Sequence, residues 1–181
     1  MMTTTTFPPI VVMGVSGCGK STVGSLLAQR LGLTFIDGDD LHPAANKQKM
    51  GSGTPLNEDR HPWLAEIGRT LRGGTADGRN IIVACSALKR RYRNQLRAEA
   101  GNILFLHLTG DPETLSSRVA GRQHEFMPAA MLASQLAALE PLDADELHLL
   151  LDIRESPAAL VEQARQALMN GSALRAAGSP A

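Results

Sequence analysis

The run Gly14-Val-Ser-Gly-Cys-Gly-Lys-Ser21 constrains the fold of this chain more than any other feature of its sequence. It matches G-x-x-x-x-G-K-[ST] at every required position, a pattern that forms a phosphate-binding loop between a strand and a helix. The apolar run Ile10–Met13 precedes the loop and predicts a strand, while apolar residues repeat at helical spacing from about Lys20 to Leu31. Gly32 supplies a stop for that helix. The sequence therefore predicts a strand–loop–helix unit that binds phosphate.

Each part of this loop has its own physical task. Its glycines let successive backbone N–H groups point inward, and the amino-terminal end of the following helix adds partial positive charge. Lys20 can reach the β- and γ-phosphates and the Ser21 hydroxyl can bind Mg²⁺, so we predict ATP and Mg²⁺ as the bound groups. A tight glycine turn that binds nothing is the alternative, which the strand–loop–helix context disfavours. The predicted nucleotide contacts are Gly14, Val15, Ser16, Gly17, Cys18, Gly19, Lys20, Ser21 and Thr22.

Short apolar runs alternate with helical patterns along the rest of the chain, which is typical of a parallel sheet covered by helices. Such continuous apolar runs suit strands that are buried on both faces. We predict an α/β fold with three layers around a five-stranded parallel sheet. The four further predicted strands are Thr34–Asp37, Ile81–Cys85, Ile103–Leu108 and Leu147–Ile153.

The segment at about 41–75 contains helical pieces but no clear strand, so we predict that it is a substrate-side insertion. We expect a single domain built around the phosphate loop over residues 1–170, with a lid at about 118–130. Residues 171–181 are rich in Ala, Gly and Ser and predict a flexible tail.

Composition excludes several classes of protein. Apolar residues make up 43% of the chain and charged residues 20%, as in an ordinary folded protein. The formal net charge is +0, which disfavours nucleic acid or an anionic membrane as a partner. The two cysteines, Cys18 and Cys85, are too few for a disulfide framework, and no apolar run reaches the roughly 18 residues of a membrane span. We expect a cytoplasmic protein.

Carboxylates follow the second predicted strand, in the crevice where open α/β sheets bind ligands. We predict that Asp39 is the catalytic base or orients the attacking hydroxyl, and that Asp37 holds the metal through water. One of these acids could instead only cap the helix that begins near Pro43, and Asp40 is the candidate for that role. His42 could donate a hydrogen bond to the substrate, with a structural role as the alternative.

Two groups of basic residues complete the predicted site. Arg118 and Arg122 lie four apart on one helical face beside the predicted lid, where they could neutralise charge on the transferred group. A solvated basic face is the alternative. The third predicted strand runs into Ser86, Lys89 and Arg93, and this strand-end position fits a small anionic substrate better than nucleic acid. Together these residues predict a small-molecule kinase.

Three motifs make the resemblance to a known family specific: Asp37-Gly-Asp-Asp-Leu-His-Pro43, Lys49-Met-Gly-Ser-Gly-Thr-Pro-Leu-Asn57 and Cys85-Ser-Ala-Leu-Lys89. With the phosphate loop, they resemble a gluconokinase of the thermoresistant type, from about Ile10 to Met169. The resemblance implies an adenylate-kinase-like fold, ATP-dependent phosphorylation of D-gluconate to 6-phospho-D-gluconate, Mg²⁺ dependence and a homodimer.

The resemblance also implies a gluconate site whose basic groups meet the substrate carboxylate. The candidates on matching positions are Asp39, His42, Lys49, Arg60, Trp63, Ser86, Lys89 and Arg93.

Two other functions stay open at this point. Another small-molecule kinase of the same fold, such as a shikimate kinase, would need different acceptor-side residues from those between Leu41 and Trp63. A nucleotide-binding module without turnover would have no need to retain Lys20, Ser21 and Asp39 together.

Overall fold

A computed structural model describes residues 7–52, 60–121 and 129–171 of the protein. A short 3-10 turn, Gly38–Leu41, follows the second strand. The strands and α-helices are, in chain order, β1 Ile10–Met13, α1 Lys20–Leu31, β2 Thr34–Asp37, α2 Ala44–Gly51, α3 Arg60–Ala76, β3 Ile81–Ala84, α4 Arg90–Ala100, β4 Leu104–Thr109, α5 Pro112–Ala120, α6 Ala129–Ala138, β5 His148–Asp152 and α7 Pro157–Asn170.

The strands form one parallel five-stranded sheet in the order β2-β3-β1-β4-β5. The predicted α/β fold with five parallel strands is confirmed, and the ends of β3, β4 and β5 differ from the predicted ends by one residue. Because all strands run the same way, the loops after β1, β2 and β3 leave from one edge of the sheet. Ligands of open α/β sheets bind at this carboxyl edge.

Both faces of the sheet are covered by helices, which gives the three predicted layers. In β1, Ile10 and Val12 belong to the core beneath α1 and α7, whereas Val11 and Met13 belong to the core beneath α3 and α4. All four side chains are fully buried. Strands enclosed on both sides need apolar residues at every position, which explains the continuous apolar runs in the sequence.

Local signals fix where the helices begin and end. The helix α1 ends at Leu31, and the following Gly32 has a left-handed φ of 69° and donates its N–H to the Ala28 carbonyl. The helix α5 begins after Asp111, whose carboxylate accepts the Thr114 N–H at 2.7 Å. Ser156 caps α7 in the same way.

The insertion places α2 and α3 between β2 and β3, with no strand among its described residues. Parts of three predicted segments lie outside the described residues: 53–59 of the insertion, 122–128 of the lid and 172–181 of the tail. The predicted domain limits stay predictions. Among residues 7–52, 60–121 and 129–171, no helix combines the length and apolarity needed to cross a membrane.

A buried ion pair fastens the segment before β5 to α4. Arg93 and Glu146 are both fully buried, and the guanidinium meets both carboxylate oxygens, with Nε to Oε1 at 2.7 Å and Nη2 to Oε2 at 3.2 Å. The same carboxylate accepts the Asp143 N–H at 2.8 Å. Because buried charges need both a partner and hydrogen bonds, this arrangement ties the two segments together strongly.

We predict that Glu146→Gln lowers the free energy of unfolding by about 3–5 kcal/mol, because it leaves the Arg93 charge buried without its partner. Urea denaturation at neutral pH measures the change. The control is Glu66→Gln, which breaks a pair with Arg69 whose side chains are 46% and 53% exposed. That exposed pair contributes less than about 1 kcal/mol, so equal losses in the two variants would contradict the prediction.

Candidate active site

The loop between β1 and α1 has the backbone that a phosphate cradle needs. Gly14, Gly17 and Gly19 have φ angles of 142°, 83° and 97°, values that only glycine adopts at low cost. A Cβ on Gly14 would also lie 2.9 Å from the Leu108 carbonyl oxygen. Gly19 is the N-cap of α1 and has no side chain to occupy the first N–H groups of that helix. These N–H groups therefore face the loop and favour an anion there.

Lys20 folds back over this loop. Its ammonium donates to the carbonyl oxygens of Gly14, at 3.0 Å, and Val15, at 3.1 Å. An ammonium has three N–H donors, so two of them hold the group in place beside the loop. The positive charge thus lies where the phosphates of a nucleotide would need it.

The two residues predicted to hold the metal are in direct contact. The Ser21 hydroxyl donates to Asp37 Oδ2 at 2.6 Å, and Asp37 Oδ1 accepts the Asp39 N–H at 3.0 Å. A hydroxyl and a carboxylate are the hard oxygen ligands that Mg²⁺ prefers. This donor set fits Mg²⁺. The Asp37 carboxylate also caps the 3-10 turn and so fixes the backbone at Asp39.

Charged groups converge on the end of β3, where Cys85 begins the following loop. Burial raises the pKa of the Cys85 thiol to about 12, and the charges of Lys20, Asp39 and Arg60 all act on that thiol. The Asp39 side chain is 79% exposed and points its Oδ1 to within 4.0 Å of His42 Nε2. Elements that are distant in sequence therefore bring a cation from the loop, a carboxylate and an arginine together at the carboxyl edge of the sheet.

The predicted substrate residues His42 and Trp63 form one stacked pair. Their ring centroids lie 3.9 Å apart with an interplanar angle of 12°. The indole N–H donates to the Gly38 carbonyl at 2.7 Å, which ties α3 to the turn that carries Asp39. Gly38 has no room for a side chain, because a Cβ there would lie 2.4 Å from the Ala84 carbonyl oxygen.

The His42 imidazole is held neutral. Burial, together with the positive charges of Arg60 and Lys47, lowers the pKa of His42 to about 4. Asn46 Nδ2 lies 3.5 Å from His42 Nδ1. If the amide donates to Nδ1, then Nε2 carries the proton and directs it toward Asp39. These contacts give His42, whose side chain is 2% exposed, a structural role, and its substrate-binding role stays a prediction.

The remaining predicted acceptor residues lie in different settings. Lys49 is exposed on α2, and Arg60 begins α3 with its guanidinium 5.4 Å from the Tyr92 ring centroid. Ser86 is half-buried, and its carbonyl accepts the Gly14 N–H at 3.3 Å, so it adjoins the start of the phosphate loop. Lys89 is half-buried at the N-cap of α4.

The prediction that Arg93 contacts substrate is wrong. Arg93 is fully buried, and besides Glu146 its guanidinium donates to the carbonyls of Ala87 and Leu88, both at 3.1 Å. The residue lies in the first turn of α4 but points into the protein, since its charge is matched there by Glu146. Its contacts hold the loop between Ser86 and Lys89, in which Ala87 has a left-handed φ of 45°. Arg93 therefore shapes the loop that carries two predicted substrate contacts.

The predicted arginine pair of the lid is only partly described. Arg118 donates to the Ile153 carbonyl and lines a cavity of about 270 Å³ together with residues of the phosphate loop, α1 and the start of α7. This cavity adjoins the side of the loop that faces α7. Arg122 lies outside the described residues, so its catalytic role stays a prediction.

Gln135 contacts the phosphate loop and was missed by the sequence analysis. Its Oε1 accepts the Ser16 N–H at 2.7 Å, and its Nε2 donates to Ser16 Oγ at 2.9 Å. The available signal was a polar residue within the apolar stripe that Leu132 and Leu136 form on α6. This sequence pattern does not identify the hydrogen-bond partner, Ser16, which lies 119 residues earlier.

Comparison with known proteins agrees with this geometry. A family model described as an AAA domain matches residues 10–142. The thermosensitive gluconokinase of Escherichia coli (strain K12) is 44% identical over 161 residues, which cover 88% of this chain and 86% of that protein. The gluconokinase of Gluconobacter oxydans (strain 621H) is 45% identical over 155 residues, which cover 85% of this chain and 87% of that protein.

A solved structure extends the likeness to three dimensions. The crystal structure of a gluconokinase from Sinorhizobium meliloti 1021 superposes with a TM-score of 0.82 at 41% identity. The superposition covers 92% of this chain and 94% of that one. Likeness of this extent, in both sequence and structure, confirms the resemblance that the motifs indicated. The chain belongs to the gluconokinase family of P-loop kinases.

Proposed function

We propose that the protein is a gluconokinase, which transfers the γ-phosphoryl group of ATP to D-gluconate and releases ADP and 6-phospho-D-gluconate. The observation that carries this function is the 44–45% identity to named gluconokinases over more than four fifths of the chain. The phosphate loop and the acidic turn at the carboxyl edge of the sheet support it independently. The comparisons do not favour a shikimate-like kinase or a module without turnover.

The nucleotide binds at the loop between β1 and α1. Its β- and γ-phosphates meet the inward N–H groups of the loop and the ammonium of Lys20. The nucleoside extends toward the cavity beside Arg118, whose wall includes the apolar side chains Pro157 and Leu160. Arg118 approaches the nucleotide from the α5 side, and Arg122 keeps its predicted role in neutralising charge on the transferred group.

The acceptor approaches from the side of the acidic turn. The 6-hydroxyl oxygen of gluconate attacks the γ-phosphorus in line with the bond to the β–γ bridging oxygen. That bond breaks, and its electron pair leaves with ADP. Asp39 orients the hydroxyl and takes its proton. The carboxylate suits this task because it is exposed at the crevice and its backbone is fixed by Asp37.

Gluconate itself is an anionic polyol, so its site needs cations and hydrogen-bonding groups. Arg60 and Lys89 provide positive charge around the end of β3, and Lys49 does so from α2. Neutral His42 offers a ring N–H to a sugar hydroxyl and is braced by the Trp63 ring. Because the imidazole is neutral, His42 does not neutralise the Asp39 carboxylate.

We propose Mg²⁺ as the metal cofactor, with Ser21 and Asp37 as the residues that hold it. When bound, Mg²⁺ neutralises charge on the phosphates during transfer. The family resemblance also implies a homodimer in the cytoplasm, and both stay part of this proposal. Cys18 and Cys85 are both buried and are not joined in a disulfide, which supports a reducing compartment.

The first prediction concerns the acceptor. Purified protein with ATP and Mg²⁺ should consume ATP with gluconate, and a coupled assay for 6-phosphogluconate should detect the product. Shikimate, glucose, AMP and a reaction without acceptor are the controls. Turnover with another acceptor but not with gluconate would keep the kinase and overturn the substrate, whereas ATP binding without any turnover would overturn the enzyme.

The second prediction concerns the base. Asp39→Asn should lower kcat by about 10²–10⁴-fold, the range typical of a lost general base. ATP affinity should change less than about threefold, because the phosphates are held by the loop. The matched control is Asp40→Asn, which changes the neighbouring exposed carboxylate and should retain activity. Similar losses in both variants would show that the charge of the turn matters rather than the Asp39 carboxylate.

The third prediction concerns the metal. Asp37→Asn should raise the Mg²⁺ concentration that gives half-maximal activity by about 10–100-fold. This is the usual loss of metal affinity when a residue that supports a metal site is replaced. The Asn side chain keeps an oxygen that can cap the 3-10 turn, so thermal unfolding should change little. A Mg²⁺ titration at fixed ATP tests this, with the exposed Asp77→Asn as control. An unchanged titration curve would remove Asp37 from the metal site.

A further inference from the structure

Gln135 lies half-buried on the face of α6 that packs toward the phosphate loop. Leu132 and Leu136 on the same face pack into the core cluster that also contains Val15. A polar side chain on such a face is unfavourable unless it is hydrogen-bonded. Gln135 forms both of its hydrogen bonds with Ser16, to the backbone N–H at 2.7 Å and to the hydroxyl at 2.9 Å. The position of the amide is thus set by the loop.

The N–H that Gln135 accepts belongs to the peptide unit between Val15 and Ser16. The carbonyl of that unit, on Val15, accepts a hydrogen bond from the Lys20 ammonium at 3.1 Å. A peptide unit is planar and rigid, so its N–H and its carbonyl cannot turn independently. Gln135 and Lys20 therefore hold opposite ends of one rigid group. A rotation that breaks the bond to Gln135 also turns the carbonyl away from Lys20.

We propose that Gln135 is a positioning residue for phosphoryl transfer, which acts through the Val15–Ser16 peptide to aim the Lys20 ammonium. Two of the three ammonium donors go to the carbonyls of Gly14 and Val15, and this directs the third toward the phosphates of a bound nucleoside triphosphate. The inference rests on the nucleotide role proposed above for the loop. It does not depend on which acceptor is phosphorylated.

Nucleotide binding without acceptor tests the proposal. A fluorescent ATP analogue is titrated into the wild type, Gln135→Met, Lys20→Met and the double variant. Gln135→Met should weaken binding by about three- to tenfold, the value of one or two net hydrogen bonds. In the Lys20→Met background the same change should alter binding by less than about 1.5-fold, because the group that Gln135 aims is gone. Gln163→Met makes the same substitution at an exposed position of α7 and should change nothing.

Three results would overturn the proposal. An undiminished effect of Gln135→Met in the Lys20→Met background would mean that Gln135 acts on the nucleotide directly. A lower thermal midpoint with unchanged ATP affinity and unchanged kcat would mean a purely structural role. The third is normal ATP affinity in Gln135→Asn, which keeps the amide but is one methylene too short to reach Ser16. The Asn variant also tests the proposal if Gln135→Met folds poorly.

Kinetics give a second, independent readout. With the acceptor that the enzyme uses, Gln135→Met should lower kcat and kcat/KM for ATP while the KM for the acceptor stays within about twofold. Ser16→Ala keeps the backbone N–H and loses only the hydroxyl, so its effect should be smaller than that of Gln135→Met. A larger effect of Ser16→Ala would contradict the route through the peptide. If gluconate is not the acceptor, the nucleotide titration is unaffected. That result is therefore distinguishable from failure of the positioning role of Gln135.

Discussion

The phosphate loop can work only if a strained backbone is held in one conformation. Three of its glycines have left-handed φ angles, and such a loop has no internal ladder of hydrogen bonds to stabilise it. The restraint comes from within and from outside the loop. Lys20 bonds two carbonyls of the loop itself, while the Ser86 carbonyl accepts the Gly14 N–H and Gln135 bonds Ser16. Strand β1, buried on both faces, provides the rigid base. Much of the fold therefore serves to keep one eight-residue loop in shape.

The sequence predicted those parts of the fold whose cause is local. The limits of β1, α1 and β2 were predicted to the residue, because burial on both faces, helical spacing and a glycine stop all act within a few positions. The start of α5 is set just as locally, by the Asp111 cap and by Pro112 in the first turn. The sequence assigned Ser21 and Asp37 to one metal because each follows a parallel strand, and such strand ends meet at one edge of the sheet; the structure adds their direct contact.

The sequence failed where a residue's role is set by a distant partner. Lys89 and Arg93 are four residues apart and look equivalent on a helical projection. Arg93 is a core residue because Glu146, 53 positions later, meets it in the interior. Gln135 was missed because its partner, Ser16, lies 119 positions earlier. No periodicity or spacing carries information over such distances, so a three-dimensional structure is needed to separate substrate contacts from structural ones.

The distribution of charge explains how a chain with a net charge of +0 can offer a positive crevice to two anionic substrates. The acidic segment before β5 neutralises Arg90 and Arg97 of α4: Asp143 and Asp145 pair with Arg90, and Asp145 also pairs with Arg97. With Glu146 matched to Arg93 inside the protein, little of the charge of these arginines reaches the active site. Lys20 and Lys89 belong instead to the loops at the carboxyl edge of the sheet. The overall balance and the local excess are therefore consistent, because the acids before β5 pair with Arg90, Arg93 and Arg97 and not with Lys20 or Lys89.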